Sequence, residues 1–129
     1  MTLTPNFLPV GSIVEYNKGT ETKQNWKQII ICIADLDWID GDPDEFNKHH
    51  RPIPLTPEIL TEWCGFEMWK ENIFRKHWGR NGVEFIVIFP DGLFYYETGN
   101  NSHRHIEFLH QLQMGYAFRT QTVLPITIK

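Results

Sequence analysis

Hydrophobic and polar positions alternate along Gly11-Ser12-Ile13-Val14-Glu15-Tyr16-Asn17, and the run Trp26-Lys27-Gln28-Ile29-Ile30-Ile31-Cys32-Ile33-Ala34 ends in continuously apolar residues. A period of two sends successive side chains to opposite faces of a strand, whereas an unbroken apolar run suits a strand covered on both faces. These segments predict two antiparallel strands, the second largely buried, compatible with part of a small SH3-like barrel. A polar stretch from Asp35 to Arg51 follows and reads as a loop. In Leu55-Thr56-Pro57-Glu58-Ile59-Leu60 the pattern turns helical. Thr56 is suited to cap a helix, Pro57 to its first position, Glu58 to the positive end of its dipole, and Leu55 and Leu60 to a hydrophobic staple. Gly65 suits the left-handed residue that ends such a helix, with Phe66 folding back over the last turn.

From Ile73 the period returns to two. Ile73 to Trp78, Val83 to Phe89 and Leu93 to Glu97 are separated by Gly79-Arg80-Asn81-Gly82 and Pro90-Asp91-Gly92, both strong turn sequences. A three-stranded antiparallel meander is expected. After the polar loop Gly99-Asn100-Asn101-Ser102, the interval from His105 to Arg119 places Ile106, Phe108, Leu109, Leu112, Tyr116 and Ala117 on one helical face. Gln113 lies inside that face, so its amide should tie the helix to neighbouring backbone. Thr122 to Ile128 alternates as a strand would, and Pro125 restricts it to a sheet edge. The fold class is therefore α+β, in one domain spanning residues 1–129: a strand pair, a short capped helix, a meander and a C-terminal amphipathic helix packed on the sheet.

At 129 residues the chain is long enough for a real core. Its 12 Lys and Arg against 16 Asp and Glu provide no general basic field to attract nucleic acid. The imbalance is local, because Asp35, Asp37, Asp40, Asp42, Asp44 and Glu45 crowd one segment. That segment fails as an EF-hand: counted from Asp35, the fifth position is Ile39 and the sixth, which should be Gly, is Asp40. A solvated acidic loop is expected instead. No apolar run approaches the ~20 residues of a membrane span, and the N-terminal residues lack the features of a secretory signal. Cys32 and Cys64 form neither a metal motif nor a disulfide framework, so two buried free thiols of a cytoplasmic protein are expected.

Catalytic signals are absent: no Ser or Cys stands in a nucleophile elbow, and no Gly-rich loop opens a helix for phosphate. No catalytic residue, cofactor or metal is assigned. His103, His105 and His110 are the candidate metal ligands for an alternative reading as a metal-dependent hydrolase using these histidines or the acidic segment, but they lack a recognisable ligand spacing. A second alternative is nucleic-acid binding through residues 70–80, where Lys70, Arg75, Lys76, His77, Trp78 and Arg80 interleave cations with aromatics. Aromatic residues make up 14% of the chain. Trp38, Phe46, Trp69 and Trp78 have no evident core role in the pattern and are the candidates for an interaction surface.

Three stretches carry a family resemblance. Ile53-Pro54-Leu55-Thr56-Pro57-Glu58-Ile59-Leu60 with Cys64-Gly65-Phe66-Glu67 resembles the Ile-Pro-Leu-Thr-x-Glu-x-Leu…Gly-Phe motif of small proteins encoded in phages, prophages and mobile elements of Bacteroidota. Phe108-Leu109-His110-Gln111-Leu112-Gln113…Tyr116 is similar to that family's aromatic-Val-His-x-Leu-Gln-Asn-x-Tyr helix, and Leu8 to Tyr16 is similar to its Gly-Asn-x-Val start. Met114 replaces the usual Asn, and Gln121 stands where Thr-Gly is usual. The family has no assigned activity, so the resemblance implies no catalytic residue. It implies a phage-type or mobile-element accessory protein. The sequence thus points to a non-enzymatic protein acting on a macromolecule, with a protein as the preferred partner.

Overall fold

A computed structural model of the chain describes residues 3–4, 8–99 and 102–128. They form two compact units, residues 1–53 with 108–110 and residues 54–107 with 111–129.

In the first unit, β1 (Ile13–Asn17) pairs antiparallel with β2 (Trp26–Ile30), as expected. Asn17 organises the connection: its side-chain carbonyl accepts from the Gly19 and Asn25 backbone N–H groups at 3.0 and 2.9 Å. The strand pair belongs to an open three-stranded sheet in the order β2-β1-β3, with β3 at His50–Arg51, rather than to a small barrel.

The second strand is shorter and less buried than its apolar run implies. It stops at Ile30, which is 64% exposed, and Ile33 beyond it is 76% exposed. The run crosses from a strand into a helix. Cys32 takes an extended conformation and caps α1 (Ile33–Gly41), while the Asp35 carboxylate accepts the Cys32 N–H at 2.9 Å. Asp42 then caps α2 (Pro43–His49): its side chain accepts the Glu45 N–H at 3.2 Å, with Pro43 in the first turn. The expected acidic loop is therefore two short helices, and its acids include their capping groups. Phe46 to Arg51, also read as loop, completes α2 and supplies β3. The two helices bury Ile39 and Phe46 in a core with Leu3, Leu8, Val14 and Ile31.

In the second unit, Thr56 caps as expected, accepting the Ile59 N–H at 3.1 Å. The following turn, Ile59–Trp63, is π-helical, with the Cys64 N–H reaching the Ile59 carbonyl. Gly65, at φ +75°, ends it, and the Phe66 N–H bonds back to the Leu60 carbonyl at 2.9 Å. Gly65→Ala should cost about 1 kcal/mol through left-handed strain, read as a lower urea midpoint with unchanged slope.

The meander is the centre of a five-stranded antiparallel sheet in the order β4-β5-β6-β7-β8. The strands are β4 (Glu67–Lys70), β5 (Ile73–Trp78), β6 (Gly82–Ile88), β7 (Phe94–Gly99) and β8 (Ser102–Ile106). The outer two strands were not evident in the pattern because their residues are mostly polar and exposed. β8 also takes the residues expected to open the last helix, so α3 begins later and spans Leu109–Thr120. Leu112 and Tyr116 are buried as expected, whereas Ala117 is exposed. Gln113 is half-buried and has a partner. Thr122 to Ile128 does not form the expected edge strand; the Thr127 N–H instead bonds to the Trp63 carbonyl at 2.8 Å.

The α3 side of the sheet is organised around Glu84. This buried carboxylate accepts from Tyr96 Oη at 2.9 Å, Arg119 Nε at 2.6 Å and Trp78 Nε1 at 3.0 Å, linking three strands' worth of side chains and α3 through one charge. Gly115 lets α3 approach the Tyr96 ring, which an added Cβ would meet at 3.3 Å. Among the described residues, no helix is long and apolar enough to cross a membrane.

Candidate functional site

Strand register determines which side chains share a face. Phe74 lies opposite Ile86 and Ile86 opposite Tyr96; all three are buried on the side carrying Glu84 and facing α3. The alternate positions point the other way. One row on that outer face runs across all five strands through Lys70, Ile73, Val87, Tyr95 and His105. Arg75 lies opposite both Glu67 and Phe85, His77 opposite Val83, and Glu97 opposite His103. Every residue of this set is half-exposed or exposed.

Aromatic contacts divide this face into two groups. At one side, Trp69 packs against Phe85 with ring centroids 5.6 Å apart, while the Arg75 guanidinium lies 5.0 Å and the Lys70 ammonium 4.5 Å from the Trp69 ring centroid. At the other, Phe89 stacks on Tyr95 at 4.3 Å and meets His103 at 5.1 Å, with His105 5.5 Å from Tyr95. The Tyr95 hydroxyl donates to Asp91 at 3.0 Å, which orients the ring and raises the tyrosine pKa above its ordinary value. Arg75 Nε bonds to Glu67 at 2.6 Å, so this acid is matched on the face by a cation.

An antiparallel sheet commonly buries one face and solvates the other, giving alternating apolar and polar residues. Here both faces are rich in apolar groups, and the outer one combines four aromatic rings with basic side chains and imidazoles. Aromatic and Arg side chains on a broad surface provide binding contacts for another molecule.

The four interaction candidates from sequence separate. Phe46 is fully buried, stacked on His50 at 3.7 Å and edge-on to Trp38 at 5.5 Å, so its role is in the first unit's core. Trp38 is half-buried and packs against that core. Trp78 points to the Glu84 face and donates to that carboxylate. Trp69 alone of the four belongs to the outer face; it is 43% exposed. Replacing it with Ala should change folding stability by no more than about 0.5 kcal/mol, measured by urea unfolding.

The basic stretch divides in the same way. Lys70, Arg75 and His77 face outward, while Lys76 and Trp78 lie on the Glu84 side. Phe85, Phe89 and Tyr95 are site residues that the sequence pattern did not single out. The available signal was the unbroken apolar run Phe85-Ile86-Val87-Ile88-Phe89, which supplies apolar side chains to both faces.

His103 and His105 occupy alternate positions on β8, rather than a loop-to-helix junction, and pack against aromatic rings. His110 lies elsewhere, buried in the first unit, with Nδ1 lacking a hydrogen-bond partner among the described residues. No group of three or more His, Cys, Asp or Glu side chains among the described residues could hold a metal ion. Cys64 is buried, and its burial raises the thiol pKa to about 12; Cys32, expected to be buried, is exposed with Sγ 3.2 Å from Asp35 Oδ2.

The chain matches no protein-family model, no curated protein and no solved structure.

Proposed function

We propose that this chain is a non-enzymatic accessory protein, of the phage or mobile-element type that its motifs resemble, and that it binds another macromolecule through the outer face of the five-stranded sheet. The observation that carries this reading is the row Lys70, Ile73, Val87, Tyr95 and His105, extended by the Trp69–Phe85 and Phe89–Tyr95 pairs. This surface spans the whole sheet, a scale suited to a macromolecule. Its charged groups lie around aromatic contacts rather than converging on a reaction centre, which favours binding over catalysis.

The test compares capture from host lysate by the wild type, a Trp69→Ala/Tyr95→Ala variant and a Phe118→Ala control. Phe118 is 82% exposed on α3 and is therefore an exposed apolar residue away from the outer row. A macromolecule retained by the wild type and control but lost by the double variant supports the reading. Equal retention by all three proteins contradicts it, as does capture that requires Phe118 but neither outer-face ring.

A further inference from the structure

Between α3 and the last two strands of the sheet, within the second unit, lies a cavity of about 180 Å³. Strand alternation puts it on the side away from the outer face: Tyr96 and Ile106 line it, while their neighbours Tyr95 and His105 point the other way. Gly115 on α3 keeps the space above Tyr96 open, since a Cβ there would come within 3.3 Å of the ring. We infer that this cavity is a binding site for a small monoanion with a flat apolar body, of which an aromatic monocarboxylate is the simplest kind. The site shares no residue with the outer face and does not depend on the function proposed for it.

Size and lining select the apolar body. An apolar cavity of about 150 Å³ in another protein holds benzene, so one six-membered ring fits here with room for a small substituent. The Tyr96 ring and Ile106 are buried on the sheet side, and Gly115 leaves room for a flat group to lie against them. Phe118 also lines the cavity, yet it is 82% exposed. A ligand seated beside it covers an aromatic surface that otherwise faces water.

Charge selects the anion. Two guanidinium groups, Arg104 and Arg119, line the cavity, and no carboxylate does. Arg119 is held in place: its Nε donates to Glu84 at 2.6 Å and its Nη1 to the Thr98 carbonyl at 3.0 Å. Its charge is thereby matched by Glu84. Arg104, opposite Tyr96 on β8, forms no ion pair among the described residues. Glu97, on the adjoining strand, lies on the outer face opposite His103. The lining therefore carries one unmatched positive charge, which suits a single carboxylate, and a guanidinium presents the planar fork that a carboxylate accepts.

The experiment titrates the full, isotope-labelled chain with phenylacetate, with neutral phenylacetamide and with acetate, and follows amide and arginine Nε resonances by NMR. Phenylacetate should give saturable shifts at Gly115, Arg104 and Arg119 with a Kd of about 1 mM, the scale of a ligand with so few atoms. Phenylacetamide should bind about fivefold more weakly, the upper end of what an exposed ion pair supplies, and acetate should not saturate. Arg104→Gln should weaken phenylacetate about fivefold and leave phenylacetamide unchanged, which separates loss of the charge from loss of the cavity. Phe118→Ala should weaken both aromatic probes. Both side chains are on exposed residues, and urea unfolding of each variant verifies that it remains folded.

Absence of saturable shifts at Gly115, equal affinity of the wild type for phenylacetate and phenylacetamide, or phenylacetate affinity unchanged by Arg104→Gln would overturn this inference. Any of these results leaves the outer-face reading standing, because Trp69 and Tyr95 take no part in the cavity.

Discussion

Glu84→Ala should destabilise the second unit by about 3 kcal/mol, a large fraction of an ordinary domain's stability. The carboxylate is 3% exposed and accepts three side-chain bonds, so truncation leaves Arg119 Nε, Tyr96 Oη and Trp78 Nε1 without their shared acceptor. Arg119 retains some access to solvent, which places the cost near the lower end of the range for breaking a buried ion pair. Its pKa is raised first by the Glu84 hydrogen bond, and Tyr96 is raised first by burial and then by Glu84, consistent with a carboxylate that favours the protonated form of both partners.

Glu84→Gln preserves the side-chain shape and an acceptor oxygen, so it should cost less than Glu84→Ala. A double-mutant cycle with Arg119→Gln should give a coupling within about 0.5–3 kcal/mol. Urea unfolding followed by far-UV circular dichroism provides the free energies. An Ala variant within about 0.5 kcal/mol of the wild type would contradict the assigned role.

Acid should destabilise the first unit through His110. Burial depresses this imidazole pKa from 6.5 to about 4, so the folded state favours its neutral form. The unfolded chain begins to bind a proton there as pH falls through 6.5, while the folded chain resists protonation until about pH 4. The stabilising preference is therefore fully present above 6.5 and is lost progressively between 6.5 and 4, reaching about 3 kcal/mol. His50 acts in the same direction: burial is the largest cause of its lowered pKa, exceeding the opposing effect of its bond to the Phe46 carbonyl.

His110→Phe should flatten part of this pH dependence. The ring already lies beside Phe108, with centroids 6.0 Å apart, and its Nδ1 has no bond among the described residues for the substitution to break. Urea unfolding at pH 7 and 4.5 should show a smaller loss in the variant than in the wild type. Equal losses would contradict the assignment to His110, since protonation of other groups is common to both proteins.

The legible elements were those whose chemistry is local. Thr56, Pro57 and Gly65 disclose a capped turn because their side chains and backbone preferences act within a few residues. The Asp42-Pro43-Asp44-Glu45 sequence contains a similar start signal, but the density of acids made a solvated loop the simpler reading. Ile29 to Ala34 misled for another reason: one apolar run serves successively as strand, cap and helix.

The central site was only partly legible because cross-strand register, not sequence distance, brings its residues together. Alternation places Arg75 and His77 on one side of β5, but their association with Phe85, Tyr95 and His105 requires the pairing of β5 through β8. Likewise, Glu84 looks ordinary in sequence. Its role emerges only when Trp78, Tyr96 and Arg119 are brought to the same carboxylate.

The outer face can be tested most directly by placing a photo-crosslinking phenylalanine analogue at position 69 or, separately, at position 118, and mapping the macromolecular adducts formed in host lysate. The account predicts a specific adduct from position 69 that is suppressed when Tyr95 is also replaced by Ala, with no corresponding adduct from position 118. An adduct from position 118 alone, or a position-69 adduct unaffected by Tyr95→Ala, would contradict the assignment of this sheet face as the binding surface.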